Sequence, residues 1–230
     1  MKQLISKAIV LSRLDYGEAD RILTVLTPTY GKLSLLAKGV RRVKSKLAGG
    51  IELFSVSDIT FIKGRGSLDS LVSTRLVKHY GTIVKNLDRT MMGYELIKQL
   101  NRTTEDEPEV AYFTLGEQLF GALDDPDIPL PLIKFWFAAQ LLRIAGHTPN
   151  LQTDAAGKKL EPTKQYNFDF DHMTFAEHAN GHLRADHIKY LRIAFSGNTP
   201  KVLQQVQGGG SLLGDTTPLV QTMLQAASLV

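Results

Sequence analysis

A run of cationic side chains between Tyr30 and Lys46 carries the clearest chemistry in this sequence. No acidic residue lies between Asp20 and Glu52, whereas the interval contains seven cations: Arg21, Lys32, Lys38, Arg41, Arg42, Lys44 and Lys46. Lys and Arg side chains are rarely buried without partners, so these groups must reach solvent or an anionic ligand. Because no nearby carboxylate cancels their charge, they attract polyanions, and guanidinium groups match phosphate oxygens geometrically. The run therefore predicts a surface that contacts a phosphate backbone.

The other candidates for chemistry are weaker. His178 and His182 have the i, i+4 spacing that can hold zinc on a helix, but Asn180-Gly181 between them favours a turn. No third ligand has a suitable spacing, so we predict a solvated loop with no metal and no other cofactor. The run Gly208-Gly209-Gly210-Ser211 lacks the Lys and Ser or Thr of a nucleotide-binding loop, and we interpret it as a flexible connector. The sequence contains no recognisable pairing of a nucleophile with a general base, and we predict that the protein is not an enzyme.

Residues 3 to 80 have the pattern of short β-strands separated by glycine-containing turns. Five segments are rich in branched and apolar residues, and they cover residues 4–11, 21–27, 32–37, 52–62 and 67–77. The polarity alternation of the fourth segment is imperfect, which predicts a β-bulge. Five short strands in this length are typical of a small closed barrel of the OB type, and closure would remove exposed strand edges. The cationic run would then lie at a strand–loop junction of the barrel.

OB barrels commonly bind single strands by combining a cationic groove with aromatic side chains on which bases stack. The aromatic residues available in this half of the chain are Tyr16, Tyr30, Phe54 and Phe61. Each fits a core or barrel-end position better than a base-stacking one, so we assign the predicted contact to the cations alone.

After Tyr80 the spacing of apolar residues becomes helical. We therefore predict an OB-fold nucleic-acid-binding domain over residues 1–80 and a helical domain over residues 81–230, an α+β fold. The predicted helices cover residues 87–101, 110–123, 130–145, 185–195, 201–206 and 217–228. The third helix is apolar around most of its circumference, which is typical of a core helix. Residues 147–184 form an irregular excursion with weak strand character.

Composition places the chain among ordinary folded proteins, with 230 residues, 43% hydrophobic and 22% charged. No apolar run approaches the roughly 20 residues of a bilayer span, no apolar signal region follows the N-terminus, and cysteine is absent. We therefore expect cytoplasmic residence and no membrane partner. Residues 1–80 hold 14 Lys and Arg against 6 Asp and Glu, whereas residues 81–230 hold 13 against 17. This asymmetry favours nucleic acid as partner of the first half and protein as partner of the second; a role in solubility alone is the alternative.

The sequence resembles the RecO family of bacterial recombination mediators over essentially its whole length. Short motifs carry the resemblance in order: Asp15-Tyr16-Gly17-Glu18-Ala19-Asp20, Leu26-Thr27, Tyr30-Gly31-Lys32, Ala37-Lys38-Gly39-Val40-Arg41-Arg42-Val43-Lys44-Ser45, Tyr94-Glu95-Leu96-Ile97 and Gly146-His147-Thr148-Pro149-Asn150-Leu151. The resemblance implies an N-terminal OB domain, a helical C-terminal domain and no enzymatic turnover. It further implies that DNA is contacted by Lys38, Arg41, Arg42 and Lys44, with Lys32 and Lys46 as their neighbours.

For function, the resemblance implies a role in DNA repair and recombination after DNA damage, with a cytoplasmic, nucleoid-associated location. Members bind single-stranded and double-stranded DNA and anneal complementary strands. The implied partners are RecR, often RecF, and the tail of single-stranded DNA-binding protein, and together they load RecA onto DNA. The helix around Trp136 is compatible with a groove for that tail or with a buried core.

One departure from the family concerns zinc. Many members hold a zinc ion with cysteines shortly after the Pro-Asn-Leu segment, whereas the matching residues here, Gln152–Lys159, contain none. We therefore predict a degenerate, metal-free form of the zinc-ribbon-like excursion. Two other classes of function stay open. One is an RNA-binding or ribosome-associated adaptor, since an OB barrel does not distinguish DNA from RNA; the other is a nucleic-acid hydrolase that uses Asp169, Asp171 and His172.

Overall fold

The protein is described by a computed structural model over residues 2–229, and it forms two compact units. The first unit ends at Pro126 and the second begins at Asp127. A five-stranded sheet precedes the helices along the chain, which confirms the predicted α+β class. The predicted division at residue 80 follows the last strand of this sheet, whereas the first compact unit continues to Pro126. The predicted domain boundary at residue 80 therefore stays a prediction.

Five strands form the sheet of the first unit: β1 (Gln3–Tyr16), β2 (Asp20–Thr27), β3 (Gly31–Ala37), β4 (Ser55–Ile62) and β5 (Asp69–His79). They pair as a closed barrel in the order β1-β2-β3-β5-β4, and β4 pairs back onto β1. The β3–β5 pair is parallel and the others are antiparallel. β1 extends beyond its predicted end at residue 11 because residues 12–16 pair with β2 across a hairpin.

The barrel core is formed by side chains at alternate strand positions, which point to the same face. Its buried members are Ala8, Val10, Leu23, Val25, Leu33, Leu35, Ala37, Val40, Ile51, Ile59, Phe61 and Leu71. Burying a Val, Leu, Ile or Phe side chain contributes about 1.5–3 kcal/mol. Leu23 alternates with Val25, and Leu33 with Leu35, so the segments predicted from their branched and apolar residues place every second side chain in the core.

The predicted bulge is present, but on the strand opposite the predicted one. The β4–β5 register shifts between Val56 and Ser57 and again between Thr60 and Phe61. At each shift the extra residue belongs to β5, and it is Val77 in the first case and Val72 in the second. Both side chains are exposed, and as bulged residues they have no cross-strand partner.

Two helices, α1 (Leu87–Thr103) and α2 (Val110–Asp124), complete the first unit. The side chain of Asn86 caps α1 by accepting a hydrogen bond from the backbone N–H of Arg89, with N and Oδ1 3.0 Å apart. Gly116 allows α2 to approach β1, since a Cβ at this position would collide with Cδ1 of Ile9. Consequently Ile9 and its cross-strand partner Leu26 are buried although they face away from the barrel core.

The second unit is built around α3 (Leu130–Ile144). Most residues of α3 are buried, which confirms the predicted core helix. Trp136 has no exposed surface, and its indole Nε1 donates to the backbone oxygen of Asn198 at 2.7 Å. Of the two possibilities left open by the sequence, Trp136 is therefore a core residue and not the wall of an open groove.

The predicted excursion contains a two-stranded hairpin, β6 (Tyr166–Asp169) and β7 (Thr174–Glu177), so its weak strand character is confirmed. Aromatic packing stabilises the hairpin, with the ring centroids of Phe168 and Phe175 5.2 Å apart. Asp154 shapes the preceding loop, because its Oδ1 accepts from the backbone N–H groups of Ala156 and Lys158 at 2.9 and 2.8 Å. The zinc-ribbon-like character of this region stays a prediction.

Three helices end the chain: α4 (Ala185–Ala194), α5 (Pro200–Gln204) and α6 (Gly209–Ala226). The prediction of a flexible connector at residues 208–211 is wrong, because α6 begins at Gly209 and not near residue 217. Glycine is a poor helix former, but here Gly208 adopts a left-handed φ of +71° and leads directly into the helix. Burial of Leu219, Val220 and Met223 then stabilises α6 through packing.

Candidate nucleic-acid interface

The basic loop, defined as residues 38–46, follows β3 and consists of successive turns. Its start is fixed by Ala37 and Val40, which are both buried in the barrel core. Between them Gly39 has a φ of +64°, a left-handed conformation that glycine adopts without steric penalty. The chain therefore turns sharply at the end of the barrel and presents the following side chains to solvent.

Hydrogen bonds attach the basic loop to the turn between β1 and β2. The backbone N–H of Gly39 donates to Oδ1 of Asp20 at 2.7 Å, and that of Arg41 donates to the backbone oxygen of Ala19 at 2.9 Å. The Arg41 guanidinium also donates to the backbone oxygen of Gly17 at 3.5 Å. The motif Asp15–Asp20 thus forms the base on which the first half of the loop is fixed.

Asp15 lies between two arginines of this region. Its Oδ1 accepts from Nε of Arg21 at 2.8 Å, and its Oδ2 lies 3.5 Å from Nε of Arg41. The hydrogen bond from Arg21 holds the pKa of the Asp15 carboxyl below its ordinary value, and the charge of Arg41 adds to this effect. Asp15 could not be identified as a partner of Arg41 from the sequence, because it precedes the interval that lacks acidic residues. The strand register, which places Asp15 opposite Arg21, brings its carboxylate close to both arginines.

Within residues 2–229, the other four cations of the basic loop have no partner of opposite charge. The side chains of Lys38, Arg42, Lys44 and Lys46 are exposed, and over the same residues they make no ion pair or side-chain hydrogen bond. Val43 between them is also fully exposed. Because the loop is short, these like charges repel one another, and an anionic ligand would relieve that repulsion. Five of the six predicted contact residues are therefore brought together on one exposed loop.

Lys32, the sixth predicted residue, lies elsewhere. It belongs to β3, and its ammonium donates to the backbone oxygens of Asn101 and Thr104, at the C-terminal end of α1. Cations at a helix C-terminus satisfy its unpaired carbonyl groups and complement its dipole. The role of Lys32 as a nucleic-acid contact stays a prediction. In this conformation its ammonium is hydrogen-bonded to the C-terminal end of α1.

The four aromatic residues considered above differ in exposure. Phe54 and Phe61 are buried, and Tyr30 is half-buried with its ring 5.4 Å from that of Phe61, in an edge-to-face arrangement. Tyr16, the last residue of β1, is 53% exposed. The core interpretation therefore suits three of the four, and Tyr16 is the exception.

The remaining candidate residues lie on or next to turns of the second unit. His178 and His182 are exposed and lie on a turn, in which the backbone N–H of Gly181 donates to the oxygen of His178 at 3.0 Å. His172 Nδ1 lies 2.8 Å from Oδ2 of Asp169 in the β6–β7 turn, and this hydrogen bond raises the pKa of His172. Between residues 2 and 229, no three His, Asp or Glu side chains come together as a possible metal site. Over the same part of the chain, the helices are too short or too polar to cross a membrane.

Comparison with known proteins identifies the family. The model of the family described as "Recombination protein O N terminal" matches residues 1–80, which contain the whole barrel and the basic loop. The chain is 34% identical over 148 residues to the DNA repair protein RecO of Rhodopirellula baltica, and 31% identical over 163 residues to that of Dehalococcoides mccartyi strain CBDB1. The barrel and the basic loop belong to the RecO N-terminal family. A third RecO protein, from Dehalococcoides mccartyi strain ATCC BAA-2266, is 29% identical over 205 residues.

The aligned share of the chain and of the relative differs from one RecO protein to the next. The Rhodopirellula alignment covers 63% of this chain and 54% of the relative, and the CBDB1 alignment covers 70% and 64%. The third alignment covers 88% of this chain and 77% of the relative. The chain thus spans about half to just under two thirds of the first two RecO proteins.

Proposed function

We propose that this protein is a DNA-binding recombination mediator of the RecO family that acts in DNA repair. The observation that carries the proposal is the basic loop, in which Lys38, Arg42, Lys44 and Lys46 are exposed and, in the part of the chain that the structure describes, lack carboxylate partners. A surface of this kind neutralises phosphates and gains free energy by releasing counterions from the nucleic acid. Backbone contacts carry no base information, so we expect binding to single-stranded and double-stranded DNA with little sequence preference.

We further infer that the barrel is of the OB type. Its strand order, β1-β2-β3-β5-β4, closes through the β1–β4 pair and the parallel β3–β5 pair, and OB barrels are five-stranded nucleic-acid-binding domains. The contacts to phosphate are assigned to Lys38, Arg41, Arg42, Lys44 and Lys46. Asp15 holds Arg41 at the base of the loop, and the other four cations can adjust to a curved backbone.

Annealing of complementary strands follows from the same charges. Phosphate repulsion opposes the approach of two strands, and cations that neutralise both strands lower this repulsion. The proposed partners are RecR, often RecF, and the tail of single-stranded DNA-binding protein, with RecA loaded onto the DNA as the result. The proposal includes a non-enzymatic mode of action, a metal-free excursion and a cytoplasmic, nucleoid-associated location.

An annealing assay tests the proposal. Two complementary oligonucleotides carry a donor and an acceptor dye, and the rate of energy transfer is measured with wild type, with the triple variant Arg41→Ala, Arg42→Ala and Lys44→Ala, and without protein. A matched control removes three exposed cations outside the basic loop: Lys7, Lys85 and Lys98. We expect the control to anneal like wild type and the triple variant to approach the protein-free rate. Equal rates for all proteins would refute the assignment, and a marked preference for RNA strands of the same sequence would favour the RNA-binding adaptor.

A further inference from the structure

The outer face of the β1–β2 hairpin carries an exposed apolar row beside the basic loop. Leu23 is buried in the barrel core, so its neighbour Ile22 and the cross-strand partner of Ile22, Leu14, point to the opposite face. Tyr16, two residues beyond Leu14, shares this face. Leu14 pairs with Ile22, and Ile22 pairs with Leu36 of β3, so these three side chains form a row across three strands. Leu14 is 64% exposed, and the other two are half-buried.

The opposite end of this outer face is covered. Further along the hairpin, Ile9 and Leu26 are buried where α2 approaches β1, and Lys32 is bonded to the end of α1. The exposed part of the face extends from Ser34 in the middle of β3 to the end of the hairpin next to the basic loop. Lys38 borders it directly, since it follows the last residue of β3.

Tyr16 lies at the end of the hairpin with an exposed side chain. Its side chain is 53% exposed, and within the described residues it has no aromatic, cation–π or hydrogen-bonding partner. Its two neighbours in the chain, Asp15 and Gly17, both contact the Arg41 guanidinium. The phenol ring is thus one residue away from groups that position a cation of the basic loop.

We propose that Tyr16, supported by the row of Leu14, Ile22 and Leu36, is a stacking platform for the unpaired bases of single-stranded nucleic acid. This inference rests on the proposed function, in which the basic loop contacts the phosphates of the same strand. The outer face of strands 2 and 3 and the loop between strands 1 and 2 form the usual single-strand surface of OB barrels. Bases in a duplex are stacked on each other and offer no free face, so the platform adds affinity for single strands only.

The platform and the basic loop have separable signatures. Cations release counterions, so their removal changes the slope of log K against log salt. Stacking on an uncharged ring adds affinity without counterion release, so its removal lowers affinity at every salt concentration and leaves the slope unchanged. Removing one aromatic platform costs about 1–3 kcal/mol per base, which corresponds to a loss of about 5- to 150-fold in affinity.

The experiment measures binding of a labelled thymidine oligonucleotide and of a duplex over a range of salt concentrations. The proteins are wild type, Tyr16→Ala, Tyr16→Phe and, as a control on another element, Tyr94→Ala on α1, whose side chain is 47% exposed and whose ring packs edge-to-face against Phe54. We expect Tyr16→Ala to bind the single strand at least 5-fold more weakly with an unchanged slope, and to bind the duplex like wild type. Tyr16→Phe keeps the ring and should bind both ligands like wild type, as should the control.

Photo-crosslinking provides a second measurement on the unmodified protein. An oligonucleotide with 5-iodouracil bonds to an aromatic side chain on which the base stacks, and mass spectrometry locates the bonded residue. We expect the crosslink on Tyr16. The inference is overturned by single-strand affinity of Tyr16→Ala equal to that of wild type, by an equal loss on the duplex or in the control, or by crosslinks only at other residues. If wild type binds no DNA, the proposed function fails as well. If wild type binds DNA with the expected salt dependence but one of these three outcomes is found, only the role of Tyr16 is rejected.

Discussion

At the scale of single residues, Arg41 and Arg42 are adjacent in the chain but differ in what holds them. Arg41 contacts the Asp15 carboxylate and the backbone oxygen of Gly17, so its guanidinium has a defined position before any ligand arrives. Arg42 is exposed and unpaired within the described residues. We infer that Arg41 fixes the register of the phosphate contact and that Arg42 contributes mainly charge.

The titration of Asp15 tests this arrangement. In Arg21→Gln the carboxylate loses its main hydrogen-bond donor, so its pKa should rise toward the ordinary 3.8. Carboxyl carbon chemical shifts followed against pH by NMR would report the change, and Arg42→Gln, which alters no group that shifts Asp15, is the control. A pKa that does not move in Arg21→Gln would contradict the assignment.

The sign of the associated stability effect follows from the direction of the shift. Because the pKa of Asp15 is depressed in the folded protein, its ionised form stabilises the fold at any pH above the ordinary 3.8. That contribution is lost as the pH falls from 3.8 through the depressed value. The Asp15 interaction is therefore fully present at neutral pH, where DNA binding is measured.

At the scale of elements, the docking of α1 depends on a contact that no local pattern reveals. The two carbonyl groups that accept from Lys32 belong to residues 101 and 104, far away in the sequence. Gly31 beside it has a φ of +65° and lies against the backbone of Asp106, where a Cβ would collide. The first residues of β3 thus contact the C-terminal end of α1 and the loop that follows it.

Substitution of Lys32 separates its two possible roles. Lys32→Ala removes charge-assisted hydrogen bonds at a half-buried position, so the free energy of unfolding should fall by about 1–2 kcal/mol. Urea unfolding measures the loss, and Lys7→Ala, at an exposed position of β1, should show no comparable change. The salt dependence of DNA binding should stay that of wild type. A flattened salt slope with unchanged stability would instead support the prediction of Lys32 as a DNA contact.

The elements that could be predicted from the sequence are those defined by their own pattern. The branched and apolar residues of 21–27 indicate β2, and the apolar circumference of residues 130–145 indicates α3. The end of β1 and the start of α6 could not be predicted, because cross-strand pairing stabilises residues 12–16 and tertiary packing overrides the low helix propensity of Gly209 and Gly210. In the same way the basic loop was predicted from its charges, whereas Asp15, Tyr16 and the position of Lys32 depend on strand register and on helix docking.

At the scale of the whole molecule, charge is distributed unevenly along the chain. Residues 1–80 carry 14 Lys and Arg against 6 Asp and Glu, and the rest of the chain is net acidic. The basic loop concentrates five of these cations on one exposed segment. A field of this kind steers polyanions toward the surface and weakens as salt screens it. The proposed DNA-binding function therefore depends on charge that is concentrated in one place, not on the net charge of +4.

The most direct test of this account is the salt dependence of single-stranded DNA binding, measured for wild type and for the triple variant Arg41→Ala, Arg42→Ala and Lys44→Ala. If the basic loop neutralises roughly four phosphates of a single strand, log K should fall against log salt with a slope of about −3. In the triple variant the slope should become markedly shallower, and affinity should fall for every sequence tested. A correctly folded triple variant with the affinity and the slope of wild type would contradict the account.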